Sequence, residues 1–590
     1  MKKHLIILLC LIFSATLFAQ QHTSVPLTDP VYQILESAII KGYIAPMPEV
    51  RPYSQKTIVD ALYRIGDAPQ ITKAERVIVQ NMLKRFTNRD SLPWYQRGSY
   101  VNNSDITKEN NDTGLPLDSE EKTLYTRVEV GATWESGLNF GLHNTDGIYS
   151  TDNWLDVYIQ GDLSDVFSYR FQAGVGVMDL DLDAYPYMTY SKNWDGYQFP
   201  FSDGTALTGF TESPATALRI LPELSVSLWD QKLRLNFSRV RRDWGPGDGN
   251  LMISKTARPF IGLDMQLNPI DWMNLAFMVG TLEFDATDGG IKGGAEFFQN
   301  AYSSTMLELF MGKWAYLSLS SSTVWPKRFE LGYGHPGMLP ILYQNMIGDF
   351  DNLQFGAHFR ISYPECFKIY SGIYIDEMKF SKIFFHLDRN MYTWQVGADF
   401  SIPKLPFAIL GVQYTKVEPY MYTHPTTNTP WYDEPMDTTY INHGEALGYK
   451  LDPNSDELKI KFETTPLWFL RTSFSYRMVR HGLVDGSTYD DTLDYKGDLN
   501  GATPGDTYWK DFLKDGVYEW IHSLALNADL DLRFVEIPVT LGMSYIFSYR
   551  HLTDYVNSKL IGISSYTDEK GNKYLPYMSN LFSISAKVWL

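Results

Sequence analysis

The feature that most constrains this chain is a period of two that recurs from about residue 124 to the last residue. Apolar and polar side chains alternate along many runs, for example over 355–363, 524–532, 539–549 and 582–590. Such alternation is typical of β-strands whose two faces meet different surroundings. The runs reach roughly ten residues, the length of a strand that crosses a membrane. The pattern therefore predicts an all-β chain after an N-terminal region of different character.

Alternation fits both a soluble sandwich and a membrane barrel, so further features must decide between them. The chain has 39 Tyr and 15 Trp, and many runs end in one of these residues, as in the aromatic girdles of barrels. Long insertions alternate with short turns, the usual asymmetry between external loops and periplasmic turns. The long insertions are Asp179–Ser213, Met421–Asn442 and Gly482–Val517. We predict an all-β transmembrane barrel of sixteen to twenty antiparallel strands.

The N-terminal region divides into three parts. Residues 1–20 have two lysines before an apolar run and Ala19 near its end, the pattern of a cleaved secretory signal peptide. Residues 21–90 show helical spacing, residues 91–121 form a polar linker, and the barrel covers 122–590. Cys366 is the one cysteine after the signal peptide, which excludes an internal disulfide. The net charge of −18 argues against nucleic acid as a partner.

Helix signals are confined to residues 29–86. Ser54 is placed to cap one helix, and Thr72 with Glu75 forms the pattern of a capping box for the next. This small α-helical module is expected to dock against the barrel, since so few residues bury little core alone.

One stretch within the strands concentrates charge and glycine. Arg239, Arg241 and Arg242 lead through Asp243 and Trp244 into Gly-Pro-Gly-Asp-Gly, residues 245–249. Glycines permit a tight turn. The arginines either bind anionic groups of a polysaccharide bidentately or pair with carboxylates inside the barrel.

Aromatic residues in this stretch and in the first long insertion also have two possible interpretations. Trp244, Trp194 and Tyr197 either stack on sugar rings or pack within loops and the aromatic girdle. For any single aromatic residue, packing in a loop or girdle is the more common role. Together with the arginines and Asp243, these residues form the candidate polysaccharide-binding set.

Catalytic and metal motifs are not found in the sequence. Asp179, Asp181 and Asp183 have the spacing of one strand face and lack the pattern of a calcium loop. We expect no metal and no cofactor. An outer-membrane enzyme would have to rely on scattered residues such as His335 or Asp376, so a non-enzymatic protein is predicted.

Several short motifs, in order, resemble the capsule-assembly Wzi family of outer-membrane proteins. They are Arg-Asp-Trp-Gly-Pro-Gly at 242–247, Asn-Leu at 250–251, Ala-Arg-Pro-Phe at 257–260, Lys-Arg-Phe at 327–329, Leu-Pro at 339–340, Asn345, Gly348, Tyr-Ile-Asp-Glu at 374–377, Tyr-Met-Tyr-Thr-His at 420–424, Asn-His-Gly at 442–444 and Leu-Gly at 447–448. The resemblance covers the mature chain except for its long loops.

The resemblance implies a barrel of about eighteen strands with a periplasm-side helical module. It also implies a lectin that binds capsular or other surface polysaccharide and helps assemble or anchor the capsule. The implied location is the outer membrane of a Gram-negative bacterium, in contact with its lipid and with periplasmic export components. A diffusion channel for oligosaccharides or anions is the alternative function.

Overall fold

A computed structural model describes residues 22–87, 99–102, 127–163, 166–180, 205–206, 215–283, 300–326, 330–347, 351–377, 391–424, 438–442, 445–484, 486–489, 512–514, 516–535, 537–568 and 571–590. Within these residues, four helices accompany one large antiparallel sheet. The predicted signal peptide lies outside the described residues.

Eighteen long strands, each paired with its neighbours in chain order, close into a barrel. They are β1 (Arg127–His143), β2 (Asp146–Asp162), β3 (Phe167–Leu180), β4 (Ala215–Leu228), β5 (Leu233–Val240), β6 (Phe260–Ile270), β7 (Met273–Thr281), β8 (Asn300–Met311), β9 (Ala315–Pro326), β10 (Asn352–Tyr363), β11 (Phe367–Glu377), β12 (Met391–Ser401), β13 (Ile409–Val417), β14 (Ser455–Leu467), β15 (Leu470–Gly482), β16 (Val517–Asp531), β17 (Val539–Val556) and β18 (Tyr577–Trp589). Strand β18 pairs antiparallel with β1, from Ser579 opposite His143 to Trp589 opposite Thr133. The predicted all-β transmembrane barrel is confirmed.

The two faces of the wall differ as the alternation requires. On β16, Leu524 and Leu526 point outward and are 40 and 52 % exposed, whereas Ser523 and Ala525 point inward and are buried. On β10, Phe359 and Ile361 are exposed and Arg360 is buried. Apolar side chains on the outside and polar ones on the inside are the arrangement of a barrel surrounded by lipid.

The connections at the two ends of the barrel differ in length. At one end the turns are short; turn 271–272 has two residues and turn 402–408 has seven. At the other end the connections include 181–214, 418–454 and 483–516. The start of β1 and the end of β18 both lie at the short-turn end.

The three N-terminal helices are α1 (Val31–Ile40), α2 (Gln55–Gly66) and α3 (Lys73–Thr87). The Ser54 side chain accepts from the Thr57 amide at 3.2 Å and caps α2. Thr72 and Glu75 form the expected capping box, because each accepts a hydrogen bond from the other's backbone amide, at 3.1 and 3.2 Å. These local signals placed two helix starts correctly.

The helical module lies across the short-turn end of the barrel. Gln33 donates to the Phe407 carbonyl at 2.8 Å, and Lys41 donates to the Leu405 carbonyl at 3.1 Å. Ile40 accepts from the Glu365 amide at 2.8 Å. All three barrel partners belong to short turns, 364–366 and 402–408, which fixes the module at this mouth. None of the helices in the described part of the chain is long and apolar enough to cross a membrane.

Most of the predicted linker at 91–121 lies outside the described residues. Residues 99–102, which fall within it, form a short strand that pairs with residues 127–130 of β1.

Candidate functional site

The connection between β5 and β6, residues 241–259, folds into the lumen rather than away from the barrel. Inside, Trp244 and Asp243 pair in antiparallel register with Val50 and Arg51 of the module. The Gly245 amide also donates to the Glu49 carbonyl at 2.9 Å. We call residues 241–259 the inserted loop. It meets residues 49–51 of the helical module inside the barrel.

Each of the three arginines is engaged by groups of the same chain. Arg239 forms two bonds to the Glu283 carboxylate, at 2.6 and 2.7 Å. Arg242 is almost fully buried and holds Asp264 bidentately, at 2.7 and 2.8 Å.

Arg241 donates to three backbone carbonyls of the inserted loop, those of residues 255, 256 and 257, at 3.1 to 3.4 Å. The cluster thus fastens the loop to the wall and to itself.

Asp243 and Trp244 are buried where the loop turns. Asp243 accepts from the Asn250 side chain at 2.8 Å and from the Lys255 amide at 3.1 Å. Burial raises the pKa of Asp243, against the opposing effect of Arg51 and Lys255. Gly245 follows with φ of 136°, and a Cβ there would lie 2.5 Å from the Asn250 side-chain oxygen. Only glycine fits this turn without strain.

A second connection, 418–454, also enters the lumen in its described parts. Tyr422 donates to the Leu251 carbonyl at 2.7 Å and Tyr440 donates to the Met252 carbonyl at 3.0 Å. Tyr440 is also hydrogen bonded to the hydroxyls of Tyr302 and Tyr374 on the wall, at 2.5 and 3.0 Å. These contacts fill the lumen on the long-loop side of the inserted loop.

Between the module and the tip of the inserted loop lies a polar cavity of about 150 Å³. We call it the lumenal cavity. Its charged lining consists of six basic and six acidic side chains: Arg51, Lys255, Lys368, Lys459, Lys461 and Arg471, with Asp29, Glu36, Asp243, Asp248, Asp399 and Glu463. The balanced lining suits a polar ligand with hydroxyl and charged groups better than an apolar ligand.

Asp248, at the tip of the inserted loop, is surrounded by lysines. Lys459 and Lys461 of β14 lie 2.5 and 3.6 Å from its carboxylate, and Lys255 also forms an ion pair with it. Burial alone would raise the pKa of Asp248, but the three lysines hold it well below its usual range. The carboxylate is therefore ionised at neutral pH and occupies a position suited to an anion.

Lys368 of β11 joins the other side of the lumenal cavity to the module. It lies 2.5 Å from Glu36 of α1 and 3.2 Å from Asp399 of β12. Burial opposes ionisation of Glu36, but Lys368 and Arg51 lower the pKa of its carboxyl group. Lys368 also donates to the Pro246 carbonyl at 3.2 Å, so it contacts wall, module and inserted loop together.

The candidate binding residues fall into two groups. Arg239, Arg241, Arg242, Asp243 and Trp244 lie together, held by contacts within the chain, and Arg242, Asp243 and Trp244 are buried. Trp194 and Tyr197 lie outside the described residues. That any of the seven binds polysaccharide stays a prediction, and the geometry favours the internal ion-pair alternative for the arginines.

Sequence reasoning missed the lysines of the lumenal cavity. Lys459 and Lys461 alternate with Ile460 and so share the inward face of β14, a signal that was available. Their partner Asp248 lies far away in sequence, and only the insertion of the loop brings them together.

The residues considered for an enzyme lie apart in the fold. His335 lies on the segment before helix α4 (Pro340–Ile347), which packs outside the wall. Asp376 is buried at the end of β11 that leads into a long connection. Among the described residues, no three His, Cys, Asp or Glu side chains converge where they could hold a metal ion.

The fold is similar to that of solved outer-membrane proteins. Wzi of Escherichia coli, an outer-membrane carbohydrate-binding β-barrel involved in group 1 capsule assembly, matches with a TM-score of 0.52 and 12 % identity, over 95 % of this chain and 99 % of that chain. The outer membrane protein OprD of Pseudomonas aeruginosa matches with a TM-score of 0.40 and 11 % identity, over 78 and 94 % of the two chains. Acinetobacter baumannii OccAB2 matches with 0.42 and 9 %, over 78 and 98 %.

No protein-family model and no curated protein matches this chain. At 12 % identity, the likeness to Wzi shows a shared fold alone. The chain is an outer-membrane-type β-barrel.

Proposed function

We propose that this protein is a non-enzymatic outer-membrane barrel that binds surface polysaccharide and helps assemble or anchor capsule at the cell surface. In this proposal the short-turn end and the helical module face the periplasm, and the long connections face outward. The signal peptide predicted for residues 1–20 would direct the chain across the inner membrane.

The observation that carries the proposal is the obstruction of the lumen. In the described residues, the module occupies the short-turn mouth, and the inserted loop and 418–454 occupy the middle. Buried contacts fix this arrangement: Arg360 of β10 forms an ion pair with Glu49, and Arg234 of β5 donates to the Pro52 carbonyl at 3.0 Å. A binding protein is compatible with such an interior, whereas a diffusion channel needs a continuous path.

The likeness to Wzi supports the class of ligand. It extends over 95 % of this chain, and that protein is a carbohydrate-binding barrel involved in capsule assembly. The low identity leaves the particular glycan of this chain unspecified, so the proposal names a polysaccharide class only.

We assign different roles to the two groups of candidate residues. Arg239, Arg241, Arg242, Asp243 and Trp244 would support binding indirectly, by holding the inserted loop in place. Trp194 and Tyr197, in the first long insertion, would supply aromatic faces for sugar rings.

The test is the ratio of cell-attached to released polysaccharide in a strain that lacks this protein. We expect release to rise while total synthesis is unchanged, and the wild-type gene to restore attachment. Complementation with Trp194→Ala and Tyr197→Ala should restore attachment only in part. An unchanged ratio in the deletion strain would refute the anchoring role.

The channel alternative has its own test in planar bilayers. The purified protein should give no stepwise conductance, because its lumen is obstructed. Open conductance of the wild type at low voltage would favour the diffusion channel instead.

A further inference from the structure

The outer wall of β8 and β9 carries an unusual polar strip. Residues of odd number on these strands point outward, because their even-numbered neighbours Tyr302, Glu308 and Tyr316 contact lumenal groups. Yet Ser303, Thr305, Ser321 and Thr323 are outward-pointing and only 0 to 5 % exposed. Unpaired hydroxyl groups facing hydrocarbon are unfavourable. This hydroxyl strip therefore requires a cover.

Residues 330–347, which include helix α4, provide that cover. Ser303 donates to the Tyr333 carbonyl at 2.7 Å, and the Tyr333 ring packs on Trp325 with centroids 4.8 Å apart. The Tyr333 hydroxyl donates to Asp351 at 2.8 Å and anchors the segment beside β10. We call residues 330–347 the external cover, because both of its wall contacts are outward-pointing residues.

The external cover has two faces. Pro340 and Gln344, one helical turn apart, are buried against the wall, and Gln344 donates to the Asp351 carbonyl at 3.1 Å. Leu342 and Met346, on the opposite face, are 55 and 73 % exposed, and Leu331 is 73 % exposed. A row of large apolar side chains on a segment lying against a membrane barrel needs an apolar environment.

The height of the lipid-facing wall indicates what that environment is. On β10, unburied outward residues run from Leu353 to Tyr363, which spans about 25 Å for a tilted strand and equals the usual apolar band. On β9 the corresponding run, Ala315 to Leu319, spans only about 10 Å. It lies in the short-turn half of the strand. The long-loop half of the band on β8 and β9 is missing from the strands themselves.

We propose that the external cover is embedded in the membrane, with Leu331, Leu342 and Met346 in contact with lipid acyl chains. The cover replaces the missing half of the apolar band and shields the hydroxyl strip beneath it. On the same outer face of the barrel, Leu319 of β9 and Phe359 of β10 are 51 and 44 % exposed. In an outer membrane this position corresponds to the outer leaflet.

The experiment uses nitroxide labels on single cysteines in the full-length protein reconstituted in lipid vesicles. Cys366→Ser first removes the only cysteine outside the predicted signal peptide. A nitroxide is then attached to a single cysteine introduced by Met346→Cys or Leu342→Cys. Leu319→Cys is the lipid-exposed control, and Tyr63→Cys, at a residue of α2 that is 53 % exposed, is the aqueous control. Collision with oxygen is compared with collision with a water-soluble nickel chelate.

We expect the ratio of oxygen to nickel collision at 346 and 342 to match that at 319 and to exceed that at 63 several-fold. A ratio like that at 63 would overturn the proposal, because the cover would then lie in water. Immobilised labels that neither reagent reaches would also overturn it, in favour of a protein partner. Heat-modifiable gel migration of each labelled variant verifies that its barrel is folded.

Discussion

The buried ion pair between Glu49 and Arg360 offers a direct test of how the module is held in the barrel. Their side chains are 3 and 2 % exposed, so solvent screens the pair little. Glu49 reaches a second cation, Arg51, at 2.7 Å through its other oxygen. Each partner therefore leaves a different set of groups behind when it is removed.

The two single substitutions should have unequal effects. Arg360→Met leaves Glu49 still paired with Arg51, so we expect a loss of about 1.5–3 kcal/mol, as for one charged hydrogen bond. Glu49→Gln leaves the Arg360 guanidinium buried without its carboxylate, and we expect about 3–5 kcal/mol. Arg51 would still have Glu36 at 3.2 Å and Asp243 at 3.7 Å.

The double variant Glu49→Gln/Arg360→Met removes both charges and should lose less than the sum of the single effects. Urea titration of the reconstituted protein, followed by tryptophan fluorescence, gives the four free energies of unfolding. The exposed pair Lys56–Asp60, about one-third exposed on α2, is the matched control, and Lys56→Ala should change stability by less than about 0.5 kcal/mol. A larger effect for Arg360→Met than for Glu49→Gln would refute this account.

Three further predictions concern the inserted loop and the module. Gly245→Ala should destabilise the protein by more than about 1 kcal/mol in the same titration, since the φ of Gly245 is 136° and Asn250 occupies the space of a Cβ. The control is Gly312→Ala, where φ is 61° and a Cβ would meet open space, so its effect reports the backbone strain without a steric clash. Burial disfavours ionisation of Glu75, but Lys41 and Thr72 lower the pKa of its carboxyl group. The stability that ionised Glu75 contributes is therefore present above its unfolded-state pKa of about 4.3 and is lost as the pH falls through the folded-state pKa. The stability difference between wild type and Glu75→Gln should accordingly shrink below about pH 4, and a difference that grows there would contradict this sign. Lys459→Met should raise the pKa of Asp248, visible as loss of stability beginning at a higher pH than in wild type.

The helices and strands follow from local sequence patterns, because these patterns depend on neighbouring residues. Alternation along each strand reports two surroundings and gave the barrel, and the Thr72–Glu75 pair gave a helix start. The same alternation placed Lys459 and Lys461 on one face without showing what they face.

The role of the arginine-rich stretch depended on contacts across the barrel. For Arg242, the bidentate bonds to Asp264 on the adjacent strand favour the internal ion pair over ligand binding. The sequence left both alternatives open, since an arginine pairs equally well with either anion.

By itself, the sequence determined the class of fold: a membrane barrel of many antiparallel strands behind a small helical module. Only the tertiary structure decided that the inserted loop enters the lumen, that Asp248 meets three lysines, and that the external cover lies over the hydroxyl strip. The physical reason is that periodicity is set by neighbours along the chain, whereas these contacts join residues up to hundreds of positions apart. Closure of the barrel, together with the packing of loops into its lumen and against its outer wall, brings those residues within reach of one another.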